Sequence, residues 1–457
     1  MARDLTTGSP MRLIWSFALP TLFGMLFQQF YNMMDTMIVG QLLGASALAS
    51  VGSTSSINFF VIGFCMGVCN GFAIPVAQRM GAGDYSQMRR CVANAGWLSA
   101  LFAVVLTVFT GLFCRTILTV MRTPEDIFDG AYWYILIIFL GIPTTFLYNL
   151  LAAVIRALGD SKTPVYFLAI SSVLNIALDL LLILYCHAGV AGAALATVIS
   201  QGVSGLACLV FMVKRFPILH MTAEERRLDG RTCRTLCLMG IPMGLQYSIT
   251  AIGSIVLQSA VNGLGSRYVA SVAAGTKLFQ VICCPFDAMG ATMATYSGQN
   301  VGARRLDRID KGIKSCIIIG AVYSVIALAG LWLFSDVVAL LFVDAGETEI
   351  LANTRQFLIA NSLFYFPLAL VNIVRFTIQG LGYSKFAIIA GVCEMAARSF
   401  VGFCLVPFFG YAAVCFANPI AWVAADLFLI PAYRYVMGRL RRLMGRNNPG
   451  MAAETAV

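Results

Sequence analysis

The sequence predicts an all-α integral membrane protein in which twelve transmembrane helices form two pseudo-symmetric six-helix lobes. The chain is 59% hydrophobic and only 11% charged, whereas a soluble domain carries about 25% charged residues. Twelve apolar stretches reach or approach the roughly 20 residues that a spanning helix needs. Three sequence motifs of the first half recur in the same order in the second half.

Short polar connections separate the twelve apolar stretches, and most of the charged residues fall in them. Charged side chains are costly at the centre of a bilayer, so these connections mark the ends of the helices. The predicted spans are residues 13–40, 47–76, 91–114, 130–156, 163–187, 190–214, 235–262, 268–297, 312–335, 351–379, 385–408 and 411–436.

The distribution of basic residues predicts the orientation of the chain. Most of the 31 Lys and Arg residues fall at the two termini and in the even-numbered loops. The odd-numbered loops and the span ends next to them carry only Arg115, Arg122, Arg267 and Arg355. By the positive-inside rule, both termini are expected in the cytoplasm of a multi-pass protein of the plasma (inner) membrane. The net charge of +10 is then explained by topology and anionic lipid, and no nucleic-acid partner is expected.

The two halves of the chain repeat. The loop motif of Gln78, Gly81 and Ala82 recurs at Gln299, Gly302 and Ala303, and Pro20 of the first span recurs as Pro242 of the seventh. The stretch NLLAAVIRALGDSKTP (149–164) recurs as NIVRFTIQGLGYSKFA (372–387). Six spans per half place both halves in the same orientation, which is a parallel repeat. The predicted domains are an N-terminal lobe (1–214), a cytoplasmic linker (215–234), a C-terminal lobe (235–440) and a cytoplasmic tail (441–457). The linker is expected to be solvated or to lie on the membrane surface, and the tail is expected to be disordered after Arg446.

Two aspartates stand in the middle of apolar spans. Asp35 lies in the first span and Asp179 in the fifth. A charge at the centre of a bilayer helix costs roughly 2.5–3.5 kcal/mol on insertion scales, so such residues are functional hypotheses by default. Two of them in one half suggest a path for an ion or a proton.

Polar residues share the helix face of each aspartate. Asn175 precedes Asp179 by four residues, and Thr197 of the sixth span offers a hydroxyl group. On the first span, three residues share the face of Asp35 by helical spacing and are candidates to line a cavity or bind substrate: Gln28, Tyr31 and Asn32.

Three interpretations of the polar set stay open. The oxygen atoms of Asp35, Asn175, Asp179 and Thr197 suit a hard cation such as Na⁺; desolvation and like charge favour proton binding; and the set fits a structural hydrogen-bond network. The second half of the chain lacks this polar set, since the corresponding positions are Val256 or Leu257, Arg398, Gly402 and about Ile420. Coupling to an ion is therefore expected in the first half alone.

The remaining sequence features give weaker indications of function. Pro20 permits a bend in the first span, either as a switch or as a static kink. The fourteen cysteines are typical of packing residues, and no metal-ligand spacing, catalytic set or cofactor motif is present. Glu394 and Arg398 are spaced to pair, and no role is assigned to Asp287, Asp426, Lys277 or Arg375.

Together these residues resemble the multidrug and toxin extrusion (MATE) family of cation-coupled antiporters over nearly the whole chain. The resemblance implies two six-helix lobes around a central cleft and export of organic, often cationic, compounds against H⁺ or Na⁺ entry. It implies a first-lobe cation site and bending of the first helix at Pro20. The site residues implied are Asp35, Asn175, Asp179 and Thr197. Because the seventh span has no acidic residue and the tenth carries Arg375, a second-lobe cation site is not expected.

Other functions remain open. A lipid-linked sugar flippase of the same superfamily would favour cations in the cleft, where Lys277, Arg375 and Arg398 are available. An intramembrane enzyme and a channel lack supporting motifs, and we expect no enzymatic activity. The expected partners are small organic substrates and the bilayer, and the protein is expected to be a monomer.

Overall fold

The computed structural model describes residues 4–121, 123–340 and 346–446. Within these residues the chain is almost wholly helical and forms no strand. The helices are α1 (Pro10–Leu43), α2 (Ala45–Gly81), α3 (Tyr85–Val120), α4 (Glu125–Leu140), α5 (Ile142–Ala157), α6 (Thr163–Leu180), α7 (Gly189–Arg215), α8 (Gly230–Asn262), α9 (Ser266–Gly302), α10 (Leu306–Ala339), α11 (Thr348–Ser362), α12 (Tyr365–Gly380), α13 (Lys385–Phe400), α14 (Val406–Phe409) and α15 (Tyr411–Arg446).

The predicted fold class is confirmed. Ten described segments are long and apolar enough to cross a membrane, and two bent helix pairs bring the number to twelve. Six spans precede the linker and six follow it, in the same order. The fifth span of each half also ends alike, in a π-helical turn at Leu181–Tyr185 and at Val401–Leu405.

The fourth and tenth predicted spans are each broken into two helices. The fourth span bends by 48° between α4 and α5, and the tenth bends by 52° between α11 and α12. Pro143 is the second residue of α5 and Pro367 the third residue of α12. Proline has no N–H to donate to the preceding turn, and its ring clashes with that turn. Each helix therefore restarts at its proline.

Part of the predicted tail is helical, because α15 continues to Arg446. Its apolar pattern extends past residue 440 as Leu440 and Met444 pack on the core of this half. The rest of the predicted tail, residues 447–457, lies outside the described residues.

The described chain divides into two compact units. Unit 1 contains Asp4, Leu19–Met80 and Asp84–Ala251, and unit 2 contains Leu5–Ala18, Gly81–Gly83 and the residues from Ile252 onward. The change from one unit to the other thus falls inside α1 and α8, the first helix of each sequence half. The lobe boundaries at 1–214 and 235–440 follow the sequence repeat and stay a prediction.

Glycines join the first half of α8 to α2 within unit 1. A Cβ atom on Gly67 would lie 2.6 Å from the carbonyl oxygen of Met243, and one on Gly240 would lie 2.5 Å from the Phe72 ring. Small residues spaced by four allow such close approach of helices in membranes. This packing holds the start of α8 in unit 1.

The repeated loop motif has a structural role in unit 2. The Oε1 atom of Gln299 accepts a hydrogen bond from the Leu5 backbone N–H at 2.9 Å, and Asn300 Nδ2 donates to the Leu5 carbonyl at 3.2 Å. Leu5 is buried. These bonds attach the segment that precedes α1 to the end of α9.

The linker is folded against α3, so the expectation of a solvated segment is wrong for Glu225. Its carboxylate is buried and accepts hydrogen bonds from Arg89 Nε at 2.8 Å, Ser86 Oγ at 2.9 Å and the Thr222 N–H at 3.0 Å. The Arg89 guanidinium, followed by the Thr222 N–H, lowers the pKa of Glu225 from about 4.5 to about 2. We call this cluster the linker clasp.

We expect the linker clasp to hold at neutral pH and to open in acid. Because the folded pKa is depressed, its stabilisation is fully present above pH 4.5 and is lost as the pH falls toward 2. Glu225→Gln should imitate the acid state and speed tryptic cleavage at Arg226 and Arg227 by roughly tenfold, since charge-assisted hydrogen bonds are lost.

The matched control is Glu224→Gln, which alters an exposed carboxylate 3.4 Å from Arg90. It should leave the cleavage rate unchanged, because exposed ion pairs contribute little. Equal cleavage of both variants and the parent protein would contradict the role of the clasp.

Candidate functional site

The structure brings the two intramembrane aspartates of the first half together in unit 1. Asp35 of α1 and Asp179 of α6 lie side by side, close enough for a hydrogen bond between their carboxyl groups when one is protonated. Asp179 and its neighbour Asn175 are fully buried. Residues 144 positions apart thus form one acidic pair.

The Thr197 hydroxyl connects Asn175, one turn before Asp179, to Tyr31 of α1. Thr197 Oγ1 donates to the Ala193 carbonyl at 3.1 Å, so its lone pairs are left to accept from other groups. Asn175 Nδ2 donates to it at 3.3 Å, and the Tyr31 hydroxyl lies 3.2 Å away. All four predicted cation-site residues are therefore in one cluster, and Tyr31 of the predicted cavity set joins them.

Four buried oxygen atoms of this cluster have no hydrogen-bond donor among the described residues. They are Asp35 Oδ1, Asn175 Oδ1 and both carboxylate oxygens of Asp179. A buried polar atom without a partner is costly, and a buried unpaired charge is more so. The arrangement therefore suits a bound proton or a small monovalent cation. No described group of three His, Cys, Asp or Glu residues that could hold a metal ion is present.

A small polar cavity adjoins the cluster. Its volume is about 60 Å³, and its walls include Gln28, Tyr31, Asn149 and Gln201. Ligand pockets for drug-sized molecules measure roughly 300–1,000 Å³, so in this conformation the space suits only a few water molecules. Asn32, the third predicted cavity residue, is exposed and does not line it.

Sequence reasoning missed Tyr134 of α4. This tyrosine is buried, and its phenol group lies within electrostatic range of Asp35, Asp179 and Tyr31. It stands in the apolar run AYWYILIIFL, where nothing distinguishes it from the neighbouring aromatic residues. Only the packing of α4 against the other helices selects it.

Three buried charged residues of unit 2 form a separate cluster, which gives Arg375 a partner that the sequence did not reveal. Glu394 of α13 forms an ion pair with Arg375 of α12 and lies 3.5 Å from Arg398, one turn along its own helix. Arg398 Nε also donates to Asn418 Oδ1 of α15 at 3.2 Å. The predicted Glu394–Arg398 pair is thus confirmed. Lys277 is exposed.

Comparison with known proteins gives three kinds of match. A sequence profile of the family described as MatE matches residues 20–181 and again residues 242–404. The probable multidrug resistance proteins YpnP and YoeA of Bacillus subtilis (strain 168) are 31% and 30% identical. The YpnP match covers 82% of this chain and 83% of YpnP, and the YoeA match covers 74% of each.

Among solved structures, the chain resembles an outward-facing multidrug resistance MATE family transporter of the MOP superfamily. The TM-score is 0.89 at 22% identity, with 96% of this chain and 98% of that chain covered. At this identity the likeness shows the fold. The two profile matches start at Pro20 and Pro242, so they confirm the repeat detected in the sequence.

Proposed function

This chain belongs to the MatE family of multidrug efflux transporters, and we propose that it exports organic, often cationic, compounds in exchange for H⁺ or Na⁺ entering down its gradient. The observation that carries the proposal is the Asp35–Asp179 pair, in which three buried carboxylate oxygen atoms lack hydrogen-bond donors. Such a pair is unstable without a bound proton or cation, so its occupancy can be linked to the conformation of the protein.

The exchange follows from charge. When the pair is ionised, it attracts an organic cation to the polar wall formed by Gln28 and Tyr31. When a proton or Na⁺ neutralises the pair, that attraction is lost and the organic cation leaves. Because the cavity of about 60 Å³ is too small for a drug-sized molecule, loading requires a conformation in which α1 moves away from α5 and α7.

Pro20 supplies a place for that movement. It lies inside the continuous helix α1, between the part in unit 2 and the part in unit 1 that carries Asp35. Proline has no N–H to donate to the preceding turn of the helix, which weakens the helix at this point. In the proposed cycle α1 bends at Pro20 and Asp35 moves with it.

The proposal includes a location and an oligomeric state. The excess of Lys and Arg in the even-numbered loops supports cytoplasmic termini in a plasma-membrane protein. Each unit has its own buried core, which supports a monomeric transporter. The coupling ion acts as cargo, and no cofactor takes part.

The basic residues of unit 2 give the flippase alternative less support than the acidic pair gives to antiport. Glu394 neutralises Arg375 and faces Arg398, and Lys277 is exposed outside this cluster. An anionic pyrophosphate would have to compete with the Glu394 carboxylate for both guanidinium groups. The matching relatives are transporters, which gives the enzyme alternative no support either.

The proposal is tested by efflux of fluorescent organic cations from vesicles that contain the purified protein. We expect efflux to stop when one of the two gradients, H⁺ or Na⁺, is collapsed, and to continue when the other is collapsed. The ion whose gradient is needed is then the coupling ion. Efflux that survives loss of both gradients, or that requires ATP, would contradict antiport. Transport of an anionic lipid-linked sugar instead of the cations would favour the flippase.

A further inference from the structure

Two polar residues of unit 1 interrupt helix segments that are otherwise buried. Within residues 67–77 of α2, every residue except Asn70 is buried, and within residues 150–159 of α5 and its end, every residue except Arg156 is buried. Arg156 Nη2 donates a hydrogen bond to Asn70 Oδ1 at 3.2 Å, so the two side chains face each other. Burial continues beyond both residues along the chain, so their accessible surface faces an internal opening and not lipid.

This opening lies beside the polar cavity of unit 1. Met66, one turn before Asn70 on α2, belongs to the cavity wall, and so does Asn149, two turns before Arg156 on α5. Residues four and seven apart share a helix face. Arg156 and Asn70 therefore extend these walls by about 10 Å along α5. The direction is toward the loop after α5, which the distribution of basic residues predicts to be cytoplasmic.

The charge of Arg156 is not balanced by a neighbouring side chain. None of the ion pairs within the described part of the chain includes it, and its hydrogen bond goes to a neutral amide. A charge that is partly removed from water without a counter-charge is unfavourable. Because Asn70 accepts through Oδ1, its Nδ2 hydrogens stay available for a ligand at the same place. The two side chains thus offer several donors and one positive charge.

This set of donors suits a carboxylate group. A guanidinium group binds a carboxylate through two parallel hydrogen bonds, and the amide hydrogens of Asn70 can reach the same oxygen atoms. One guanidinium group balances one negative charge, so the site suits a carboxylate better than a pyrophosphate, which carries more charge. An organic cation without a carboxylate group would be repelled here, in contrast to the attraction expected from the acidic pair.

We propose that Arg156 and Asn70 bind the carboxylate group of exported compounds, so that the substrates include zwitterions, in which a carboxylate accompanies the cationic group. This inference rests on the proposed export function and names a substrate class for it. A compound that arrives from the predicted cytoplasmic side meets Arg156 before it reaches the cavity. Its carboxylate binds Arg156, and its cationic group is directed toward the polar wall that leads to the Asp35–Asp179 pair.

The site is tested without transport, by reaction of the purified full-length protein with phenylglyoxal, which modifies arginine. Mass spectrometry of the peptide that contains Arg156 measures the rate in lipid nanodiscs. We expect benzoate to block the modification of Arg156 and benzamide, its neutral counterpart, to have no effect. The exposed Arg79 should react at the same rate with either compound. An unreactive Arg156, or equal protection by benzoate and benzamide, would overturn the proposal.

A conservative variant tests the part played by Asn70. Asn70→Asp keeps the shape of the side chain and gives Arg156 a carboxylate partner, so protection by benzoate should be lost. The matched control, Asn32→Asp, makes the same change on an exposed residue of unit 1 and should leave the protection intact. Undiminished protection in Asn70→Asp would contradict a shared carboxylate site.

Efflux from vesicles tests whether the bound carboxylate belongs to a substrate. The probes are a rhodamine with a free carboxyl group and its methyl ester, which keeps only the cation. Relative to the ester, the KM of the carboxyl dye should rise about tenfold in Arg156→Gln, because charge-assisted hydrogen bonds are lost. An unchanged ratio of the two KM values would overturn the substrate class. If the parent protein exports neither dye under any gradient, the export function itself fails, whereas protection by benzoate still decides whether the site exists.

Discussion

Asp35→Asn and Asp179→Asn are each expected to reduce gradient-driven efflux by about tenfold or more, equivalent to a loss of at least about 1.4 kcal/mol in coupling. Each substitution keeps the shape of the side chain and removes the charge that a proton or Na⁺ neutralises. The measurement is efflux of a fluorescent cation from vesicles with an imposed H⁺ or Na⁺ gradient.

The matched control for both variants is Asp129→Asn, which makes the same change on an exposed residue of α4. It should export at the parental rate, and all three variants should reach the membrane in equal amounts. Undiminished efflux in both Asp35→Asn and Asp179→Asn would contradict the assignment of this pair to coupling. Equal resistance of the variants and the parent protein to unfolding in a denaturing-detergent titration would separate loss of coupling from loss of folding.

The largest effect on stability is expected for Glu394→Ala. This change leaves the buried guanidinium groups of Arg375 and Arg398 without the carboxylate they share. Breaking a buried ion pair by removing one partner costs about 3–5 kcal/mol. The free energy of unfolding should therefore fall by that amount in a denaturing-detergent titration of the purified protein.

An exposed ion pair of the same unit provides the comparison. Glu349 pairs with Arg267, with 49% and 66% of the two side chains exposed. Exposed pairs contribute roughly 0–1 kcal/mol, so Glu349→Ala should change the unfolding free energy by no more than that. If both variants lost the same small amount, Glu394 would not be the central counter-ion of the cluster.

Local sequence information was sufficient to predict site residues that share one face of a single helix. Asp35 with Tyr31, and Asp179 with Asn175, were recognised because residues three or four apart share a face. Pro20 and Pro242, together with the paired loop motifs, revealed the duplication. The same local reasoning predicted the Glu394–Arg398 pair one turn apart.

Hydropathy did not reveal the breaks in the fourth and tenth spans. Both segments are apolar enough on average to count as spans, and hydropathy averages over a window that hides a single proline. Pro143 and Pro367 were present in the printed sequence, but whether a proline kinks a helix or ends it depends on what packs around the break. In this protein each proline starts a new helix.

The sequence by itself determined the number of spans, the duplication and the residues that carry charge in the apolar interior, because these depend on composition and on spacing along one helix. Only the tertiary structure decided which helices meet. It placed Asp35 beside Asp179, brought Tyr134 to them, and paired Arg375 with Glu394. Those partners lie on different helices, and the contacts between helices depend on side-chain shape and direction, which no periodicity along the chain records.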